Sequence, residues 1–442
     1  MGLWVCVSSS ASAQTLYEGA RLIPGDAAPP IERAAMLVDR GRIVQVGVQG
    51  QVKAPASAKR VDLAGKTIVP ALIATHVHPG FQVGTSYGRE HYTTATIIND
   101  LNRAVYFGIS VVQSQGIEAG EPMYHVRAEQ QAGTLAPTAK LLVAGRGIGS
   151  PNAGPGGAAY AGMAYEVTTE AEARRAVEEL SVRRVDIIKI WVDDRNGRAP
   201  KLSAPLYRAI IDEGHRRGLT INAHVFYHDD AVDLVSAGID GFAHLVRDKV
   251  MDDALVATIV KRGVFVMGNL SFPRKSTYAS LPPWMIPGDP MAQLLAESVN
   301  TGVLDRLRAY FINRDAKAVD AARQRYSILE QSLAKLSRAG ARIILGADTG
   351  LEDHLFGMAE HLELEAMVDA GMSPHQAIVA GTSRAAEFLR LKTKGTLRPG
   401  LDADFVVLDA NPLEAITNLR RISRVILGGA EVDRRALRPA LP

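Results

Sequence analysis

The chain has 442 residues, of which 47% are hydrophobic and 22% are charged, and its formal net charge is +3. This composition is typical of a globular enzyme, and the nearly even charge balance shows no basic excess that would suit nucleic acid or an acidic membrane surface. The length exceeds that of one simple core, but α/β barrels with an appended domain reach it. We therefore expect one large domain, a smaller one, and a small molecule as partner.

The N-terminal segment 1–13, MGLWVCVSSSASA, is a short apolar run that ends in Ala11-Ser12-Ala13, as a secretory signal with its cleavage site does. The positive segment that usually leads such a signal is missing. Cys6 is the single cysteine, so the body of the chain has neither a disulfide framework nor a thiolate metal site, which suits an oxidising compartment. We expect a periplasmic or secreted protein, with a cytoplasmic one as the alternative. No apolar run approaches the roughly 20 residues that span a bilayer.

Both chain ends, residues 14–66 and 392–442, contain short apolar runs separated by turns, as the strands of a small antiparallel sheet do. The clearest runs are Ala34–Val38, Arg42–Val46, Ala403–Asp409 and Val425–Gly429. Neither end has enough strands to bury a sheet face alone. We therefore predict that the two ends pair into one composite β-sandwich domain.

Residues 67–391 alternate strand-like runs with helix signals, such as the capping box that begins at Thr169 and Ser373 as an N-cap. The runs are Ile68–Thr75, Ile109–Gln113, Lys140–Ala144, Asp186–Val192, Leu219–His224, Gly241–Leu245, Val264–Met267 and Arg342–Gly346. Eight such βα units predict an α/β fold with a closed (β/α)8 TIM barrel. An open doubly wound sheet is the alternative, but the glycine-rich turn that normally follows its first strand is missing.

Side chains that bind metals lie at the ends of several runs. His76 and His78 follow the first run, and residues i and i+2 of a strand point to the same face, so both imidazoles can reach one ion. Further candidates in or after later runs are Lys189, His224, His244 and Asp348. Barrel enzymes carry their catalytic residues at the carboxyl ends of the strands, and imidazoles and carboxylates suit Zn²⁺. The sequence therefore predicts a metal site at this rim.

With these motifs the chain resembles the amidohydrolase superfamily over nearly its whole length, and within it the imidazolonepropionase-like and prolidase-like members. The matching segments are Ala74–Pro79 around the HxH, Asp186–Trp191 around Lys189, Ile221–His224, Gly241–His244, Gly346–Gly350 and the tail Gly395–Leu408. One departure is Ala71 after Pro70, where the superfamily usually has glycine. It concerns the fit of the backbone rather than the chemistry.

The resemblance implies two divalent metal ions, zinc first, with manganese or iron as alternatives. His76, His78 and Asp348 would hold one ion, and His224 and His244 the other. Lys189 would be carboxylated by CO₂ and bridge both ions. The implied reaction is hydrolysis of an amide-type C–N bond in a dipeptide, an N-acyl amino acid or a related small amide. A bridging water would attack, and Asp348 would serve as general base and then general acid.

Other functions remain open at this point. A mononuclear deaminase of the same superfamily usually has a glutamate three residues after the fifth-strand histidine, but here that position is Tyr227. Hydrolysis of a cyclic amide, as in the imidazolonepropionase-like members, is a further alternative. A barrel without activity that serves as an interaction scaffold is a minor one, because such a chain would be expected to lose metal ligands first.

Substrate binding is predicted at two side chains that lie just beyond metal-bearing histidines. Tyr227 and Arg247 could each receive a substrate carboxylate, and arginine could do so through a bidentate pair. The loops at residues 145–162 and 271–290 are long enough to act as lids over the pocket. Association of identical subunits is possible and is left open by the sequence.

Overall fold

The computed structural model describes residues 14–118, 120–156 and 158–438. The predicted export signal, residues 1–13, lies outside this range and stays a prediction.

Strands occur along the whole described range. In chain order they are β1 (Thr15–Glu18), β2 (Arg21–Leu22), β3 (Ala34–Asp39), β4 (Arg42–Val48), β5 (Lys59–Asp62), β6 (Thr67–Pro70), β7 (Leu72–Val77), β8 (Gln82–Val83), β9 (Ser86–Tyr87), β10 (Ile109–Ser114), β11 (Lys140–Leu142), β12 (Ile148–Gly149), β13 (Tyr165–Glu166), β14 (Ile187–Val192), β15 (Thr220–Val225), β16 (Gly241–Phe242), β17 (Phe265–Met267), β18 (Arg342–Ile344), β19 (Phe405–Leu408), β20 (Ile422–Leu427) and β21 (Ala430–Glu431).

The α-helices lie mainly between the parallel strands. They are α1 (Thr94–Tyr106), α2 (Pro122–Ala132), α3 (Glu170–Val182), α4 (Ala204–Arg216), α5 (His228–Ala237), α6 (Asp253–Arg262), α7 (Ser271–Arg274), α8 (Pro290–Ser298), α9 (Thr301–Phe311), α10 (Ala316–Arg338), α11 (Met358–Asp369), α12 (Pro374–Ala380) and α13 (Ser383–Phe388). Within the described ranges, none of these helices combines the length and the apolar character that a bilayer crossing requires.

The central strands are parallel and alternate with helices, as predicted for an α/β protein. One sheet has the order β11-β10-β7, and a second has the order β13-β12-β14-β15-β16-β17-β18. The sheets are joined by backbone hydrogen bonds on both sides. On one side Asp186 N donates to Val143 O (2.8 Å), and on the other Thr75 N donates to Leu345 O (2.9 Å). The carboxyl ends of the strands therefore share one rim.

Local sequence signals explain where several elements begin. Thr169 caps α3 and forms a capping box with Glu172, and Ser373 does the same for α12 with Gln376, as the sequence predicted. Every residue of β14 is buried, because a strand between two parallel neighbours is covered by helices on one face and by the interior on the other.

The predicted first strand, Ile68–Thr75, is two strands with different partners. Thr67–Pro70 pairs with β19 and β2, strands of the two chain ends, whereas Leu72–Val77 pairs with β10. The backbone changes partner at one step, since Ala71 N donates to Asp404 O and Leu72 N donates to Gly108 O. Thr67–Pro70 therefore pairs with strands of the two chain ends, and Leu72–Val77 pairs with the central parallel strands.

Side chains from both chain ends share one apolar cluster that includes Tyr17, Met36, Ile68 and Phe405. The Phe405 ring is fully buried and meets the Tyr17 ring edge to face, with the ring centroids 5.1 Å apart. This cluster joins the N-terminal sheet β4-β3-β1-β5 to the sheet β2-β6-β19-β20-β21.

Phe405→Ala tests whether this shared cluster stabilises the fold. We expect the free energy of unfolding to fall by about 3–5 kcal/mol, because the substitution leaves a cavity at a fully buried aromatic site. Chemical denaturation measures it. Val44→Ala is the control, since Val44 is 46% exposed and its loss should change the free energy by less than about 0.5 kcal/mol. Equal effects of the two substitutions would contradict the assignment.

Candidate functional site

A cavity of about 670 Å³ lies at the carboxyl ends of the parallel strands. All six predicted metal ligands line it, together with the predicted substrate residue Arg247: His76, His78, Lys189, His224, His244, Asp348 and Arg247. Side chains distant in sequence therefore meet at one place, as the strand-end argument predicted.

The tightest group in the cavity consists of His76, His78 and Asp348. Asp348 Oδ1 lies 3.1 Å from His76 Nε2 and 2.9 Å from His78 Nε2. One potential ligand atom from each residue lies within 4.8 Å of the other two. Two imidazole nitrogens and a carboxylate oxygen at such separations can bind one divalent ion.

The backbone at this group is held in an uncommon conformation. Asp348 has a positive φ of 58°, which residues other than glycine rarely adopt and which is frequent at functional sites. The turn is fixed by paired hydrogen bonds, since His78 N donates to Thr349 O (2.6 Å) and Thr349 N donates to His76 O (3.2 Å). At Gly350 a Cβ atom would lie 2.1 Å from His78 O, so only glycine fits there.

The other two histidines lie beside this group. The ring centroids of His244 and His76 are 5.2 Å apart, and those of His244 and His224 are 4.4 Å apart. His224 Nε2 lies 2.9 Å from Asp193 Oδ2, an arrangement that leaves the Nδ1 atom free for a metal ion. A carboxylate behind a ligating imidazole is the usual way in which proteins orient the ring.

Lys189 projects into the same cavity from β14 and is 1% exposed. Among the described residues, no carboxylate lies within ion-pair distance (4.0 Å) of its Nζ atom. Burial lowers the pKa of Lys189 to about 7, so a large fraction of the amine is neutral near neutral pH. Gly116 makes room for the side chain, because a Cβ atom there would lie 2.7 Å from Lys189 Cβ.

The protonation states of the site fit a metal centre. Burial lowers the pKa of His76 to about 3 and that of His224 to about 4, so both imidazoles are neutral. Burial raises the pKa of Asp348, but the adjacent His76 and His78 lower it more, so that the group stays a carboxylate. His76 Nδ1 also lies 3.3 Å from Ala243 O, and donation to this carbonyl leaves Nε2 as the ligand atom. The residues present therefore fit a divalent ion.

Two polar residues that contact the predicted histidine ligands were missed from the sequence. Asp193 contacts His224, and Asn269 Nδ2 lies 2.8 Å from His244 Nδ1 and 3.1 Å from His76 Nδ1. Asp193 directly follows β14, and Asn269 lies two residues beyond β17. Their positions at strand ends are the signal that could have indicated them.

Tyr227 is not among the residues that line the cavity. Its hydroxyl donates a hydrogen bond to Asp194 Oδ1 (2.8 Å), and Lys201 Nζ lies 4.8 Å from the centre of its ring. The structure therefore does not support the predicted role of Tyr227 as a carboxylate ligand, because its hydroxyl already has a partner outside the cavity. Arg247, by contrast, has no carboxylate within ion-pair distance in the described ranges and lines the cavity.

Helix α11 holds two loops of the site through hydrogen bonds to its buried carboxylates. Its Glu363 accepts hydrogen bonds from Leu270 N (2.9 Å) and Ser271 N (2.7 Å), next to Asn269. Its Glu360 accepts one from Thr349 Oγ1 (2.7 Å), next to Asp348. Both carboxyl groups are fully buried, so these contacts are shielded from water and hold the loops firmly.

The family of the chain follows from comparison with known sequences. The sequence model of the amidohydrolase family matches residues 67–432. Because this match covers most of the chain, the protein belongs to the amidohydrolase family and is a hydrolase that acts on carbon–nitrogen bonds. The resemblance noted from the motifs is confirmed.

Similar proteins include several hydrolases. Ochratoxinase of Aspergillus niger is 25% identical over 465 aligned positions, which cover 93% of this chain and 84% of the relative. A solved Xaa-Pro dipeptidase has a TM-score of 0.74 at 20% identity, with 95% of this chain and 100% of that chain covered. Molinate hydrolase has a TM-score of 0.74 at 22% identity, with 97% and 96% covered. At these identities the solved structures show that the fold is shared.

Glu118 is a buried acid that neither the metal ligands nor the loops explain. It is fully buried, and both carboxyl oxygens are without a hydrogen-bond partner among the described residues. Burial raises the pKa of Glu118 to about 8. The folded protein therefore holds a proton that the unfolded chain releases above the ordinary pKa of 4.5.

Glu118→Gln tests whether Glu118 is protonated in the folded protein. Because the folded-state pKa is raised, the stabilising contribution of the wild-type group is present below pH 4.5 and is lost as the pH rises through about 8. We expect the free energy of unfolding of the variant, relative to the wild type, to increase between pH 6 and pH 9. Denaturant titrations at both pH values measure it, with the exposed Glu129→Gln as control. A difference that does not change with pH would refute it.

Proposed function

We propose that the protein is a binuclear metal-dependent amidohydrolase that cleaves a small amide bearing a carboxylate, such as a dipeptide or an N-acyl amino acid. The observation that carries this proposal is the group His76, His78 and Asp348, which shares its cavity with Lys189 and two further histidines. The hydrogen bonds that join β14 to β11 and β18 to β7 support a closed (β/α)8 barrel, with a small β-domain built from both chain ends.

The ligand residues fall into two groups, which supports two ion sites. His76, His78 and Asp348 would hold the first ion, and His224 and His244 would hold the second, with zinc as the ion that best suits this donor set. Lys189 would lie between them as a carbamate, formed when its neutral amine attacks CO₂ and releases one proton. Its burial, with no carboxylate of the described residues within 4.0 Å of the amine, supports this modification, because the carbamate would supply an anionic ligand at that position.

Divalent ions bound here would lower the pKa of a water molecule and polarise the substrate carbonyl. Asp348 then takes the proton of the attacking water, since its carboxylate faces the cavity and its low pKa keeps it ionised. The same carboxyl group returns the proton to the nitrogen that leaves. Glu360 and Glu363 keep the loops on either side of the site in place during these steps.

The cavity also supports the choice of substrate. Arg247 lies beside the ligands with its guanidinium free of carboxylates in the described ranges, and it can bind a substrate carboxylate through two parallel hydrogen bonds. Aromatic rings form much of the remaining wall: Tyr87, Tyr160, Trp191, Phe272 and Tyr310. An amide with a carboxylate on one side and an apolar group on the other fits these walls. One of the structural relatives is an Xaa-Pro dipeptidase, and a dipeptide is an amide that bears a carboxylate.

Metal analysis combined with a substrate screen tests the proposal. We expect about two equivalents of zinc per chain and hydrolysis of members of a dipeptide and N-acyl amino acid library, with a free amine or amino acid as product. Lys189→Ala should lose more than about 100-fold in kcat, because loss of a ligand costs more than the 10–100-fold typical of an outer-shell partner. His125→Ala, an exposed histidine on α2, should match the wild type.

Two outcomes would overturn the proposal. Less than about one equivalent of metal, with no activity after zinc or manganese is added, would favour a scaffold without activity. Release of ammonia from an amino heterocycle in place of amide cleavage would favour a deaminase.

Arg247→Lys tests the carboxylate site. We expect KM for an N-acyl amino acid to rise by about tenfold or more, because lysine cannot form the bidentate pair, while kcat changes little. The corresponding N-acyl amine, which lacks the carboxylate, should be cleaved equally by both enzymes. An equal rise in KM for both substrates would show that Arg247 does not bind the carboxylate.

A further inference from the structure

Three segments that are distant in sequence build the outer wall of the cavity. The hairpin β8–β9 contributes Tyr87, the insertion between β17 and α10 contributes Lys275 and Tyr310, and the loop after β18 contributes Leu351 and Glu352. None of these side chains belongs to the group of metal ligands. The wall can therefore contact parts of a substrate other than the amide bond at the metal site.

The three segments are tied together by one polar cluster, which we call the clasp: Gln82, Thr85, Arg306 and Asp353. Arg306 of α9 donates two parallel hydrogen bonds to the Asp353 carboxylate, Nε to Oδ2 and Nη2 to Oδ1, each 2.6 Å long. Its remaining Nη1 donates to Thr85 O (2.6 Å) in the hairpin. A single guanidinium thus joins all three segments.

Gln82 completes the clasp from the hairpin. Its Nε2 donates to Asp353 Oδ1 (2.9 Å), and its Oε1 accepts from Asp353 N (3.0 Å). The Asp353 side chain is only 8% exposed, whereas that of Arg306 is 35% exposed. A bidentate ion pair with one partner largely desolvated is stronger and better defined than the usual surface pair.

The clasp is coupled directly to the residues that line the wall. Arg306 and Tyr310 lie one helical turn apart on α9, so they share a face of the helix. The Tyr310 ring lies between two cations, Lys275 Nζ at 4.5 Å and Arg314 Cζ at 4.3 Å from its centre. Tyr310 also exchanges a hydrogen bond with Ser276 (3.1 Å). Fixing Arg306 therefore fixes Tyr310 and Lys275 together.

We propose that the clasp determines substrate specificity by holding Tyr87, Lys275 and Tyr310 against the part of the substrate farthest from the scissile bond. This inference rests on the proposed amide hydrolysis. The clasp residues act as positioning residues, since Arg306 and Asp353 reach the substrate only through the wall. Small substrates that do not extend to the wall are bound without its help.

Kinetics with a matched pair of substrates test the inference. The probes are an N-acetyl amino acid and the N-naphthoyl derivative of the same amino acid, and the variant is Arg306→Gln. We expect KM for the naphthoyl substrate to rise by about tenfold, the factor that corresponds to about 1.4 kcal/mol, with kcat and the acetyl substrate unchanged. Arg308→Gln is the control, because Arg308 lies on the same helix and, within the described part of the chain, pairs only with the exposed Asp305. Arg306→Lys, which can make one contact in place of the bidentate pair, should give an intermediate KM for the naphthoyl substrate.

Hydrogen exchange provides a readout that needs no substrate. In Arg306→Gln and in Asp353→Asn we expect faster amide exchange in both 82–87 and 301–311, because each substitution releases the hairpin and α9 together. Unchanged exchange in 82–87, or equal KM changes for the two substrates, would overturn the inference and leave the proposed function intact. A wild-type protein that cleaves no amide would instead overturn the proposed function, and the exchange data would still test the clasp.

Discussion

The site depends on burying several ionisable groups around one carboxylate. Lys189, His76, His224 and His244 are all nearly inaccessible to water, and Asp348 is the carboxylate that His76 and His78 contact. A buried amine or imidazole resists protonation because the charged form loses its hydration. The strands thus deliver neutral ligands to a cavity, which is the state that a metal ion requires.

The surrounding structure keeps that cluster in place. Gly116 and Gly350 have no side chain, which leaves space for Lys189 and for the His78 carbonyl. The buried acids Glu360 and Glu363 of α11 accept hydrogen bonds from the loops that carry Asp348 and Asn269. The clasp performs a similar task farther out, where the wall is half-exposed. Rigid supports near the metal ligands are consistent with one type of reaction at the metal site. The clasp at the outer wall is consistent with a wall that selects among substrates.

The sequence predicted the strands and the candidate metal ligands better than the residues that hold those ligands and the cavity wall in place. Buried parallel strands read as apolar runs, so seven of the eight predicted runs coincide with single strands, and the histidines at their ends stand out. The break at Ala71 was missed, because a change of hydrogen-bond partner leaves no mark in hydropathy. Asp193, Asn269 and Arg306 were missed because their roles come from contacts between distant segments. Tyr227 was placed in the pocket by spacing alone, which does not reveal its bond to Asp194.

Anomalous diffraction at the zinc edge, from crystals of the zinc-loaded protein, can show how many ions the cavity binds. We expect two peaks, one among His76, His78 and Asp348 and one at His224 and His244, with density for a carbamate on Lys189 between them. A single peak beside an unmodified Lys189, or zinc bound elsewhere, would rule out the binuclear centre.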